Sequence, residues 1–149
     1  MILEGQFTIP ASQQRVWDSI WDVPTLASWV PGCTSAEQVD EHSYRVRVEQ
    51  QIGMFKAAFD LVLSVIETEP LNRVVLQARG EDRRMKSNLQ LQSEVRLSSE
   101  GPEATTLQYR HDLSIFGRLG ALGFPMIKRK AREVEAEFVR RATQALVTG

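Results

Sequence analysis

The sequence predicts an α+β domain in which a curved antiparallel sheet of about seven strands wraps one long C-terminal helix, with two short helices after the first strand. Three observations predict it. Residues 2–9 alternate at period two and stop at Pro10. Strand-like segments separated by turn residues fill the middle of the chain. From Gly117 onward the apolar residues change to helical spacing and keep it for roughly seven turns. A sheet curled around a single helix leaves room for a cavity between the two, so the functional question is what that cavity holds.

Leu3, Gly5, Phe7 and Ile9 share one face of the first strand, and Pro10 ends it because proline cannot donate to the ladder. Ser12 is a helix cap. Val16, Trp17, Ile20 and Trp21 form an apolar stripe on the helix that follows. Asp22 caps a second short helix with Pro24 in its first turn. Leu26, Trp29 and Val30 are its apolar residues, and Pro31-Gly32 turns the chain.

Residues 33–40 read as a weak strand and Glu41-His42 as a turn. Tyr44, Val46, Val48 and Ile52 alternate with Arg45, Arg47 and Glu49, which makes a half-buried strand with a wet outer face. Gly53-Met54 turns into residues 55–66, where Phe55, Ala57, Phe59, Leu61, Leu63 and Val65 share a face. After Pro70-Leu71-Asn72, Val74, Leu76 and Ala78 continue the pattern. Residues 80–86 read as a polar turn. Leu89, Leu91, Val95 and Leu97 form the next strand, and Leu107, Tyr109, His111, Leu113 and Ile115 the inner face of the last. Leu119, Leu122, Met126, Val134, Phe138 and Ala145 carry the helical spacing. Pro125 inside that pattern predicts a kink or a delayed helix start.

The 149 residues suit one domain, 1–149, with one core. With 42% apolar and 25% charged residues this is an ordinary globular composition. A net charge of −1 argues against nucleic acid as a partner. No apolar run reaches the roughly 20 residues that cross a bilayer. The N-terminal residues lack the basic and hydrophobic regions of a secretory signal, and the single Cys33 allows no internal disulfide. The expected location is the cytoplasm, with peripheral contact at the inner membrane face as a further possibility.

The order of elements is that of the helix-grip, START-like (SRPBCC) fold. Leu3-Glu4-Gly5 with Phe7 and Pro10, Val16-Trp17, Asp22-Val23-Pro24, Leu26, Pro31-Gly32-Cys33, Ile52-Gly53-Met54-Phe55-Lys56, Phe59, Tyr109 with Asp112, Leu119-Gly120 and Leu122-Gly123 resemble the CoxG family of carbon monoxide dehydrogenase proteins over nearly the whole chain. The approach to the last helix is less glycine-rich than is usual there. The resemblance implies a non-catalytic accessory protein of a molybdenum hydroxylase or carbon monoxide dehydrogenase-type system, with a lipid or quinone-like molecule as ligand and a larger enzyme complex as partner.

On strand parity and helix spacing, the expected ligand-contacting residues are Trp29, Phe55, Phe59, Tyr109, His111, Leu122 and Met126. Tight core packing is the competing explanation for the apolar ones. Two histidines and one cysteine without metal-ligand spacing predict no metal site, and no glycine-rich loop predicts a nucleotide cofactor. No cofactor and no catalytic residue is assigned. The alternatives to ligand binding are an aromatase/cyclase-like enzyme using His111, and a docking factor whose cavity is incidental. Cys33 reads as a small apolar filler. Asp112 faces outward and is expected to pair with Arg110 or Arg96. Lys128, Arg129, Lys130 and Arg132 form a basic cluster, read either as a solvated face paired to following glutamates or as a weak contact with anionic lipid.

Overall fold

The alternation in the sequence becomes a seven-stranded antiparallel sheet in the order β1-β7-β6-β5-β4-β3-β2. The computed structural model describes residues 1–148, with side chains to 147. The elements are β1 (Ile2–Ile9), α1 (Gln13–Trp21), α2 (Val23–Trp29), β2 (Cys33–Gln38), β3 (Ser43–Ile52), β4 (Phe55–Glu69), β5 (Arg73–Asp82), β6 (Ser87–Ser99), β7 (Thr105–Gly117) and α3 (Phe124–Thr148), with a 3₁₀ turn at Gly120–Leu122. The helix-grip architecture is present. β1 joins the sheet at its far edge by pairing with β7, Gly5 opposite Tyr109 and Leu3 opposite His111.

Local chemistry explains the boundaries. Ser12 accepts from the Arg15 N–H at 3.2 Å and starts α1; Asp22 accepts from the Thr25 N–H at 3.3 Å and starts α2, with Pro24 in its first turn. The left-handed Gly32 and Gly53 make the turns after α2 and β3. A register shift between Val65 and Glu67 in β4 marks a bulge, a device that bends a strand.

Two boundaries differ from the sequence reading. β5 runs on through Gly80 to Asp82, where a turn was expected. Asp82 is buried, and its carboxylate accepts from the Ala58 N–H at 2.7 Å and the Met85 N–H at 3.0 Å. It clamps the β5–β6 turn onto β4, so its polarity serves a buried hydrogen-bonding role. The last helix begins only at Phe124. Gly117 and Gly123 both lie at φ 89, which breaks the backbone twice after β7, and Pro125 falls harmlessly in the first turn. Leu119 and Leu122 therefore precede the helix.

The inner face of the sheet packs in two separate clusters. One joins Ile9, Val16, Trp29, Leu97, Leu107, Ala142 and Leu146, with Phe7 and Phe138 against it. The other joins Ile52, Ala57, Phe59, Met85 and Leu119, with Phe55, Leu122 and Met126 against it. On α3 the buried positions are Ile127, Ala142 and Leu146; Val134 and Phe138 are only half-buried, and Ala145 is exposed. Between the clusters Val46, Leu63, Leu76, Leu91 and Leu113 face inward and are only half-buried. The main backbone approaches of α3 to the sheet are at β1 and β3, near its two edges.

The clamp at Asp82 is testable. Asp82→Ala leaves two backbone donors without their acceptor and is expected to cost about 2–4 kcal/mol in urea unfolding. A loss under about 0.5 kcal/mol, the level of an ordinary surface change, would show that the turn does not depend on the carboxylate.

Candidate functional site

The gap between the two clusters is apolar except on β6 and β7. Parity places Tyr109, His111 and Leu113 on the inner face of β7, and Ser93 lies opposite His111 in register on β6. Ser93 Oγ is 2.7 Å from His111 Nδ1. The Ser93 hydroxyl has no other partner among the described residues. Assigning tautomers from the hydrogen bonds, the serine O–H donates to Nδ1 and the ring proton sits on Nε2. Nε2–H is then a donor with no protein acceptor among the described residues.

The imidazole lies flat on Tyr109, with centroids 4.6 Å apart and planes at 19°. Burial pushes its pKa below the ordinary 6.5; Glu135 opposes that shift and Arg132 adds to it. His111 is therefore neutral at pH 7. The Tyr109 hydroxyl accepts from the Arg132 guanidinium, which also donates to the Glu4 carbonyl at 2.9 Å and meets Glu135 at 3.4 Å. Burial, with Glu135 as its hydrogen-bond partner, pushes the phenol pKa up to about 12. Arg132 thus ties α3 to β1 through the ring of β7.

Gly5 makes this possible. A Cβ there would lie 2.7 Å from Tyr109 Cζ and would overlap the hydroxyl. The ring can cross its register partner on β1 only because that partner has no side chain. Beyond Tyr109 the rings continue through Phe7 at 6.3 Å, Phe138 at 6.1 Å and Trp29 at 6.0 Å.

The seven residues expected at a ligand fall in three places. Trp29, only 4% exposed, sits in the first cluster against Phe138. Phe55, Phe59, Leu122 and Met126 belong to the second. Tyr109 and His111 lie on the wall between. Ser93 escaped sequence reading, although a buried serine in line with Leu89, Leu91, Val95 and Leu97 was the available signal. Asp112 pairs with the N-terminal ammonium at 3.9 Å, because Arg110 is held by Glu4 and Arg96 by Glu94. Cys33 is half-buried, its thiol pKa raised by burial, and its Sγ–H donates to the Ser35 carbonyl at 3.4 Å. The basic cluster divides: Arg132 turns inward, Lys130 pairs with Glu133 at 3.1 Å, and Lys128 and Arg129 stay exposed.

Among the described residues no group of three or more His, Cys, Asp or Glu could hold a metal ion, and no helix is long and apolar enough to cross a membrane. An open depression of about 740 Å³ lies on the outer face around Asp60, Val62, Arg79 and Phe116. Charged side chains and open solvent surround it, so an apolar molecule would gain little there; the inner gap is the better candidate.

The profile of the CoxG family, described as the G component of carbon monoxide dehydrogenase, matches residues 5–147. No curated protein matches the chain. Among solved structures, a conserved protein from Geobacillus kaustophilus is 20% identical with a TM-score of 0.91, the match covering 99% of this chain and 96% of that one. A START superfamily protein from Mycobacterium smegmatis is 15% identical at TM-score 0.77, covering 99% and 97%. An aromatase/cyclase from a Streptomyces species is 14% identical at TM-score 0.70, covering 98% and 93%. These likenesses show a START-like fold.

Two predictions concern the wall. His111 has a native pKa below 6.5, so below pH 6.5 the unfolded chain takes up a proton that the folded chain resists. Stability should fall as pH drops from 6.5 toward the lowered native pKa and level off beneath it. Urea midpoints across that window should show this contribution in the wild type and lack it in His111→Gln; parallel profiles would contradict it. Gly5→Ala should cost about 1–3 kcal/mol by overpacking against Tyr109. Paired with Tyr109→Leu it should cost less than the two changes added separately, and strict additivity would mean the two positions are not coupled.

Proposed function

Because the chain belongs to the CoxG family of carbon monoxide dehydrogenase proteins, we propose that it binds a small apolar molecule, lipid- or quinone-like, between the sheet and α3, without chemically changing it. Its place is that of an accessory protein to a molybdenum hydroxylase of the carbon monoxide dehydrogenase type. The observation that carries this reading is the half-burial of Leu63, Leu76, Leu91, Leu113 and Val134 between two sealed clusters. Inward-facing leucines in a closed core would be fully buried. An apolar guest completes their burial at roughly 25 cal/mol per Å² of surface removed from water.

The polar wall supplies orientation. A neutral His111 with its proton on Nε2 offers one donor in apolar surroundings, which suits a carbonyl oxygen on the guest. A hydrogen bond of this kind contributes about 0.5–1.5 kcal/mol, and the misfit of a guest without an acceptor contributes to selectivity.

The likeness to an aromatase/cyclase raises a second reading, catalysis by His111. Ser93 bears on it. In a nucleophilic serine site the serine faces Nε2 and an acid holds Nδ1. Here the serine takes the holding position at Nδ1, and no carboxylate is hydrogen-bonded to the imidazole. Ser93 is placed to orient the ring, which favours binding over turnover.

Leu91→Trp fills the gap from the centre of the sheet and should abolish uptake of a short-chain ubiquinone analogue followed by tryptophan quenching, at unchanged fold by circular dichroism. His111→Gln should lower affinity about two- to ten-fold, one neutral hydrogen bond. Undiminished binding by Leu91→Trp would put the guest elsewhere. Chemical conversion of the guest by the wild type, lost in His111→Gln while binding persists, would make the protein an enzyme.

A further inference from the structure

Three chain reversals collect at one end of the sheet: the turn at 53–54, the turn at 83–86, and the connection at 118–123 that leads into α3. Contacts hold them together. Gly53 lies against Met126, where a Cβ would meet the sulfur at 3.1 Å, and the Leu119 N–H donates to Ser87 Oγ at 3.0 Å. Met85 and Leu119 share the second cluster beneath. On this end three large apolar side chains stand in solvent: Met54 at 86% exposure, Phe116 at 55% and Phe124 at 40%.

The charges around them are unusual for this molecule. Elsewhere most cations have carboxylate partners, such as Arg47 with Asp60, Arg73 with Glu94, and Arg140 and Arg141 with Glu137. Lys56, Arg84, Lys86, Arg118, Lys128 and Arg129 make no ion pair among the described residues; Lys128 lies 5.8 Å from the Phe124 ring. No acidic residue occurs from Arg83 to Ser93, or from Phe116 to Arg132. The turns at the opposite end carry Asp40, Glu41, Glu69, Glu100 and Glu103. A net charge near zero conceals a molecule that is basic at one pole and acidic at the other.

We propose that this end docks on an anionic lipid bilayer, with Met54, Phe116 and Phe124 entering the headgroup layer and the six unpaired cations facing lipid phosphates. Charge complementarity sets the partner: each cation is free of an internal carboxylate. The exposed aromatic and thioether tips need an apolar layer behind the anions, which a lipid surface supplies. The acidic pole points the molecule away from the same membrane. Lys130 and Arg132 take no part, being engaged within the protein. This surface is separate from the gap beneath α3, and vesicle association requires no bound guest.

The experiment is co-sedimentation of the purified protein with phosphatidylcholine vesicles, with and without phosphatidylglycerol. Binding should require phosphatidylglycerol and weaken with salt. Each of Lys56→Gln, Arg118→Gln and Arg129→Gln should weaken it about five-fold at low salt. Met54→Ser with Phe124→Ser should weaken it at least as much, and Arg110→Gln, on the outer face of β7, should leave it unchanged. All these sites are exposed, so thermal melts should stay put. As a second readout, Met54→Trp should be quenched by brominated lipid, while Trp17, Trp21 and Trp29, in or against the first cluster or its helix, should not be. No sedimentation with anionic vesicles, equal binding to neutral ones, or a Met54→Trp signal indifferent to brominated lipid would each overturn the proposal. The first of these, with the same cations binding an acidic protein instead, would make the end a protein-docking surface.

Discussion

One helix cannot cover seven strands. Strands lie about 4.8 Å apart, so a seven-stranded sheet is roughly 29 Å across, while a helix with its side chains is about 10 Å thick. The sheet must curl toward α3, and even then the helix closes it only where other elements help. α1 and α2 fill in at one end, and the connection from β7 fills in at the other. Two packed clusters and a half-buried middle follow from that mismatch. The candidate site is the part of the inner face that no element is wide enough to seal.

The helix is held across the opening by few groups, which is why Arg132 matters. It reaches the Glu4 carbonyl on the edge strand and the Tyr109 hydroxyl on the next, and it meets Glu135 on its own helix. Gly5 makes room for the phenol between them. That set of contacts fixes Tyr109, and the stacked His111 is fixed in turn by Tyr109 on its face and Ser93 at its edge. The single donor facing an apolar gap is thus preorganised by an aromatic plane, a serine and a glycine, and it stays neutral because burial disfavours the imidazolium.

Charge follows the same division of labour. Along the sheet and the middle of α3 most cations have a carboxylate partner, and Glu137, between Arg140 and Arg141, is held down to a pKa of about 2. Exposed pairs of this kind add little to stability. Their effect is to leave those surfaces without strong local fields. At the end that gathers Met54, Phe116 and Phe124 the cations keep their charge, and the same end carries the exposed apolar tips. Stability does not require that combination, whereas an external anionic and apolar surface makes use of it.

Period-two alternation, Pro10, the Ser12 and Asp22 caps and the glycine turns determined the strands, the short helices and their order, because each is a local property of the backbone. They also put Tyr109 and His111 on the inner face, since parity is local as well. The end of β5 and the start of α3 were decided by partners distant in sequence: Asp82 reads as a turn residue until Ala58 and Met85 are seen donating to it. The site depended on register. Nothing local pairs Ser93 with His111, Gly5 with Tyr109, or turns Arg132 inward from a run of basic residues; antiparallel pairing and the crossing of α3 did that. The seven expected contact residues share a face by parity, but the curl of the sheet distributes them among two clusters and the wall between, because which inner positions are sealed depends on where one narrow helix can reach.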